Sequence, residues 1–258
     1  MNQFQAQKII ELNQQTYDLI ANNFSATRDR PWPEMQTLIK KYVKNYQNIL
    51  DLGCGNGRLL ELIKNYKINY LAIDSSKKLI NQALKHLDNK TIKHLKAEFK
   101  YLNILNLSQL QPQKFNIIFM FAVFNHIPSK KIRLLILQHI KKLLKPNGLL
   151  IMTNWNLWNI KYKKNIWNYK LLKHSNIKSI RHIDINSLGL GFKDIITIWQ
   201  SSDKQKYEPL YYRAFTKFEL KKLLRQSGFK IIENYYSYNN QKTYQWKGKN
   251  IVSIASPN

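Results

Sequence analysis

Ile49-Leu50-Asp51-Leu52-Gly53-Cys54-Gly55-Asn56-Gly57-Arg58 carries an apolar strand straight into a loop with glycine at every second position, and Leu59, Leu60, Leu62 and Ile63 open a helical pattern at once. Glycine here permits positive φ and lets a ligand approach main-chain atoms that a Cβ would shield. The helix that follows is expected to offer unpaired N–H groups to an anionic part of that ligand. The acid ahead of the first glycine, and the spacing, set the stretch apart from the dinucleotide fingerprint Gly-x-Gly-x-x-Gly. Cys54 reads as a small residue tolerated in a tight turn rather than as a reactive thiol.

Outward from that loop the chain alternates strand and helix. A strand at 70–74 ends in Asp74 and leads to a helix over 76–87. A weaker strand is expected near 92–97, then a connection over 99–111 with marginal helical character. Phe115–Phe121 is a near-continuous apolar run, the pattern of a parallel strand buried on both faces. A helix over 129–144, a turn at Lys145-Pro146-Asn147-Gly148 and a strand over 149–155 follow. Such βα units imply a parallel sheet with right-handed crossovers. Upstream, 4–23 and 34–46 read as amphipathic helices, separated by a Pro-rich and turn-rich segment over 23–33. Downstream, 156–213 breaks the rhythm with a long basic and aromatic insertion, and a connection of that length is usually functional or has its own structure. Thr216-Lys217-Phe218-Glu219 opens a last helix as a capping box, Gly228 stops it, and 229–238 with 251–255 close the chain as a hairpin.

The 258 residues suit a single domain over 1–258, with an N-terminal helical segment over 1–46 and the 156–213 insertion as a substrate-side lobe. No apolar stretch approaches about 20 residues, so membrane insertion is not expected. The polar N-terminus lacks a signal-peptide core, and the lone cysteine fits a cytoplasmic protein. No metal is expected. The charge is one-sided, 42 Lys and Arg against 15 Asp and Glu, formally +27. A coding bias toward Lys, Asn and Ile would raise the acids as well, so it does not account for the excess. A field of this sign favours a polyanionic partner such as RNA, DNA or an anionic membrane surface.

The chemistry-bearing residues cluster at strand ends. Asp74, followed by Ser75, can accept from both ribose hydroxyls of a nucleoside, or simply cap the next helix. Glu98 and Phe99 follow the third strand, at the end of the sheet where α/β folds bind ligands. Phe121, Ala122, Asn125 and His126 follow the fourth, where cofactor and substrate meet.

Asp51-x-Gly53-x-Gly55-x-Gly57 resembles the first motif of class I S-adenosylmethionine (SAM) methyltransferases. The resemblance implies a Rossmann-like α/β fold, a seven-stranded sheet of order 3-2-1-4-5-7-6 with the last strand antiparallel and helices on both faces. It implies SAM as cofactor, held by Asp51, Gly53, Cys54, Gly55, Asn56, Gly57, Asp74, Ser75, Glu98, Phe99, Phe121 and Ala122. A narrower resemblance rests on Asn23-Phe24-Ser25-x-Thr27-Arg28 with Trp32-Pro33, on Gly53-Cys54-Gly55-Asn56-Gly57, on Ala122-Val123-Phe124-Asn125-His126, and on Asp194 to Trp199 with Tyr211-Tyr212-Arg213 and Glu219-Leu220. These are similar to segments of the eukaryotic tRNA wobble-uridine methyltransferases. Asn125 stands where that family has a first His, Asn116 where many relatives have Asp, and the C-terminal Asp-Asn-Trp is missing.

The family's reaction is the methylation of the carboxylate of 5-carboxymethyluridine in tRNA, assisted by a small zinc-binding activating subunit. A carboxylate, with a pKa of about 4, needs no strong base. It needs a cation to orient it, which an arginine fork supplies. Arg28 is the first candidate and Arg213 the second, with His126 beside them at the catalytic centre. Thr27, Trp32, Asn125, Trp199 and Tyr212 are the candidate substrate contacts. Arg28 pinning the N-terminal segment, and the aromatics forming core, are the structural alternatives. A class I enzyme acting on a small quinone or lipid precursor, and a non-catalytic SAM- or RNA-binding protein, remain open.

Overall fold

The computed structural model describes residues 1–28, 30–87, 94–110, 115–161, 185–200 and 207–258. Its centre is an eight-stranded sheet of order β3-β2-β1-β4-β5-β10-β8-β9. The strands are β1 (Asn48–Leu52), β2 (Asn69–Asp74), β3 (Lys96–Tyr101), β4 (Phe115–Phe121), β5 (Leu144–Trp155), β8 (Phe229–Tyr238), β9 (Gln241–Thr243) and β10 (Asn250–Pro257). The first five run parallel, and β10 is antiparallel to both β5 and β8. The expected strand order is therefore present, with β10 and β8 as its last two strands. The short β9 adds an eighth at the edge, formed where the loop after β8 folds back on it.

Alternation along β4 shows why the middle of the sheet is apolar throughout. Ile118 and Met120 join Leu50, Leu52, Leu150 and Met152 in one core. Ile117, Phe119 and Phe121 join Ile49 and Ile151 in the other. The first core is covered by α5 (Lys130–Leu143) and α6 (Lys217–Gln226), the second by α2 (Pro33–Tyr42), α3 (Leu60–Ile63) and α4 (Lys77–Leu87). The turn expected at 145–148 is a bulge inside β5. Pairing jumps from Phe115↔Leu144 to Ile117↔Leu149, and a Cβ on Gly148 would lie 2.9 Å from the Phe115 carbonyl. Thr216 caps α6 by accepting from the Glu219 N–H, and Gly228 ends it at φ +77°.

The N-terminal helix α1 (Gln3–Ala26) runs three residues past the expected end at 23. The prolines begin only at Pro31, and Thr27 caps the helix by bonding the Asn23 carbonyl through both N–H and Oγ1. In the other direction α2 stops at Tyr42 instead of 46, because Val43 takes an extended backbone. The third strand begins at Lys96, four residues later than expected. It is an edge strand with little buried surface, so its alternation is faint.

Of the 156–213 insertion, 162–184 and 201–206 lie outside the described residues. The rest supplies the antiparallel pair β6 (Asp194–Gln200) and β7 (Tyr207–Arg213). This hairpin packs through Ile196 and Tyr211 on Ile9 of α1. Helix α1 is pinned to the main sheet at its other flank, where Asp18 Oδ1 accepts from Ser76 Oγ (2.6 Å) and the Lys78 N–H (3.3 Å) at the start of α4. No helix among the described residues is long and apolar enough to cross a membrane.

Candidate active site

The glycine loop lies at the C-terminal mouth of the parallel strands. Gly53, Gly55 and Gly57 sit at φ +69°, +59° and +76°. A Cβ on Gly53 would stand 2.4 Å from Val123 Cγ2, so the loop after β4 closes directly on it. Helix α3 is a single turn of four residues. The N–H groups of Gly53, Cys54, Gly55, Gly57 and Leu60 are bonded within the protein, which fixes the loop as a tight cradle.

Two carboxyls flank that cradle, Asp51 buried and Asp74 half-buried. Asp51 Oδ2 accepts from the Tyr70 hydroxyl at 2.7 Å, and burial pushes its pKa up to about 7. Asp74 accepts from the Gly55 N–H through Oδ2 and the Ser76 N–H through Oδ1, both at 2.8 Å. Desolvation raises its pKa to about 6 despite those bonds.

A cleft opens above the loop, lined by Asp51, Gly53, Cys54, Gly55, Asn56, Asp74, Ser75, Phe121 and Ala122, and by Arg28, Trp32, His126 and Tyr212. Its roof is α1 and the segment after it. Arg28 lies over the Phe24 ring (4.6 Å to the centroid), and its carbonyl accepts from Asn56 Nδ2. Arg58 lies 4.1 Å over the Trp32 ring, with its pKa lowered to about 10, first by burial and then by Arg28. Among the described residues, these two guanidiniums are the cations of the cleft.

His126 is held on both nitrogens. Nδ1 faces the Tyr211 carbonyl at 2.9 Å and Nε2 the Tyr17 hydroxyl at 2.9 Å. The geometry assigns Nδ1–H as donor and Nε2 as acceptor. Burial lowers its pKa to about 4, so the ring is neutral at physiological pH. The Tyr212 ring packs 4.6 Å from it.

Other candidates lie elsewhere. Glu98 is mid-strand, exposed and paired with Lys100, because β3 begins later than expected; Leu102 and Asn103 occupy the cleft instead. Phe99 packs edge-on against Tyr70 and beneath Gly57, whose Cβ position would meet Ala83. Arg213 is spent in ion pairs with Asp194 (3.2 Å) and Glu219 (2.8 Å), which fasten β7 to α6. Asn125 is fully buried and ties the Trp155 backbone and the Arg213 carbonyl together. Trp199 does not reach the cleft, and the exposed Thr27 touches it only by accepting from Arg28 Nη1. The sequence reading missed Asn13, Tyr17, Arg58 and Trp155, all of which line it. Arg58 directly follows the glycine loop. Asn13 and Tyr17 are one helical turn apart, polar positions on the face of α1 that buries Ile9, Ile10 and Ile20.

A family model described as a methyltransferase domain matches residues 43–228. The chain belongs to this methyltransferase family. The fold agrees: a SAM-dependent methyltransferase of Methanosarcina mazei superposes with a TM-score of 0.64 at 22% identity, covering 85% of this chain and 96% of that one. A tRNA (carboxymethyluridine(34)-5-O)-methyltransferase of Xenopus tropicalis is 26% identical over 210 residues, covering 75% of this chain and 31% of that protein. The chain thus spans about a third of that relative's length. A ubiquinone biosynthesis O-methyltransferase of Actinobacillus pleuropneumoniae is 30% identical over 112 residues, 43% of this chain and 46% of that protein.

The protein is therefore a SAM-dependent methyltransferase of the class I fold. The cleft residues fit that cofactor. The Gly53 cradle excludes side chains, and Asp74 is an acceptor suited to hydroxyl donors. The buried Asn56 Oδ1 has no hydrogen-bond partner and can accept from an ammonium group.

Proposed function

We propose that this methyltransferase acts on tRNA and transfers the methyl group to the carboxylate of a 5-carboxymethyluridine at the wobble position. The observation that carries the reading is that, among the described residues, the cleft holds two arginines and no base free to take a proton from a substrate. Arg28 and Arg58 flank the loop, while His126 is neutral with both nitrogens bonded. Asp51 is engaged by the Tyr70 hydroxyl of β2, and Asp74 by the Gly55 N–H of the loop. When bound, SAM supplies an electrophilic methyl group on a positively charged sulfur. A substrate carboxylate is already ionised, so no side chain has to remove a proton. What remains is orientation and exclusion of water, and a planar guanidinium orients a carboxylate through paired hydrogen bonds. The net charge of +27 and the likeness to the frog tRNA enzyme favour RNA as the carrier of that carboxylate. The resemblance of the sequence to the wobble-uridine methyltransferases makes a small activating subunit part of the proposal.

The ubiquinone-pathway relative keeps small-molecule O-methylation as the second reading. A phenol, with a pKa of about 10, requires a base that His126 in this state does not provide.

The test is methyl transfer from labelled SAM to anticodon stem-loops carrying either 5-carboxymethyluridine or plain uridine, with the chain alone and with an activating subunit. Label on the first RNA alone is expected. Label on a quinol precursor and on neither RNA overturns the reading. Arg28→Ala is expected to lower kcat/KM on RNA about 10- to 150-fold, the loss of a hydrogen bond to a charged group, with SAM affinity unchanged. An equal fall in SAM affinity moves Arg28 to the cofactor side.

A further inference from the structure

The turn between β9 and β10 exposes two large aromatic rings. Tyr244 is 66% and Trp246 55% exposed, and they stack with centroids 5.0 Å apart and planes within 5°. Each ring covers one face of the other and leaves its outer face to solvent. The backbone beneath them is fixed. Asn156 Nδ2 donates to the Gln245 and Gly248 carbonyls, and Asn159 Nδ2 to those of Lys247 and Gly248. Both asparagines are buried, and Ile160 N–H bonds the Trp246 carbonyl. A Cβ on Gly248 would lie 2.8 Å from Tyr236 Cβ, which keeps the turn flat on β8. The anchoring segment directly follows Trp155, a wall of the cleft, so the ring pair stands at the same end of the strands as the active site.

The surroundings are cationic. Lys247 and Lys249 are exposed, with Lys249 over the Tyr238 ring at 4.8 Å. No Asp or Glu occurs from residue 234 to residue 258. Flat rings with open faces beside lysines match the two parts of an unpaired nucleotide, the base and its phosphate.

We propose that Tyr244 and Trp246, with Lys247 and Lys249, form a second RNA contact on which an unpaired base neighbouring the target nucleotide stacks. This rests on the RNA reading of the cleft.

The test is fluorescence anisotropy of a labelled single-stranded oligoribonucleotide titrated with the full chain at several salt concentrations. The double variant Tyr244→Ala with Trp246→Ala is expected to weaken binding about 5- to 150-fold, the range for one stacked base. Trp246→Phe retains most of the affinity, and Lys247→Ala reduces the salt slope by about 0.7. SAM affinity, measured by calorimetry, stays unchanged and reports an intact fold. Unaltered RNA binding by the double variant overturns the platform alone. No RNA binding by the unaltered chain overturns both the platform and the tRNA reading. Loss of binding to phosphatidylserine vesicles, with RNA binding kept, assigns the patch to a membrane surface and overturns the proposal.

Discussion

Gly53→Ala, set beside Gly55→Ala, separates backbone strain from steric closure in the cofactor loop. Both residues have positive φ, +69° and +59°. A left-handed backbone costs an L-residue about 1–2 kcal/mol, partly offset by about 0.4–1 kcal/mol from a less flexible unfolded chain. Gly55→Ala meets nothing nearer than Phe24 Cε1 at 3.6 Å, so it should cost about 1 kcal/mol on strain alone. Gly53→Ala brings its Cβ to 2.4 and 3.0 Å from the two Val123 methyls, adding an overpacking cost of about 1–3 kcal/mol. The total, about 2–4 kcal/mol, should lower Tm by about 4–8 °C in a domain of this size. Adding Val123→Ala to Gly53→Ala removes the clash and leaves the strain, so the double-mutant cycle should show a favourable coupling of about 1–3 kcal/mol. Urea unfolding of the four proteins supplies the stabilities, and calorimetric titration with SAM reports on the loop. Equal losses for Gly53→Ala and Gly55→Ala, or no coupling with Val123, would refute the close packing of the two loops.

Asp74→Ala removes the acceptor of the Gly55 and Ser76 N–H groups, and should raise the Kd for SAM about 10- to 150-fold, read by calorimetry; an unchanged Kd contradicts its place at the cofactor. Asp51 has a folded-state pKa raised from 3.8 to about 7, so its contribution to stability is present below pH 3.8 and lost as pH rises through 7, by about 4 kcal/mol in all. Asp51→Asn should therefore flatten the fall in stability of the cofactor-free protein between pH 5 and pH 8, and parallel curves for the two proteins would show that Asp51 does not titrate there.

The strand and helix alternation was legible because the strongest determinants are local. Phe115–Phe121 is apolar on both faces, and Asp51–Gly57 needs glycine where φ is positive. Glu98 was misplaced because β3, at the sheet edge, hides its register, and a shift of a few residues carries a strand-end position out of the site. Arg213 looked like a substrate cation because its partners Asp194 and Glu219 are brought to it by tertiary folding. Asn125 reads as a substrate contact in the sequence, yet in the fold its amide serves three backbone groups, from the ends of β5 and β7. Tyr17 and Asn13 escaped notice for the opposite reason. Nothing near them in sequence shows that α1 lies across the mouth of the sheet, with Asp18 bonded to the start of α4. Arg58 is a cleft cation because the fold lays it over Trp32, a residue 26 positions away in sequence.

The chemical nature of the transferred methyl group tests the central claim most directly. A methyl ester is cleaved by mild alkali, whereas methyl groups on ring nitrogen, ring carbon or ribose oxygen are not. tRNA bearing carboxymethyluridine, labelled from tritiated SAM by this protein, should release its tritium as volatile methanol on brief alkaline treatment. Label that stays with the nucleosides after that treatment would contradict carboxylate methylation.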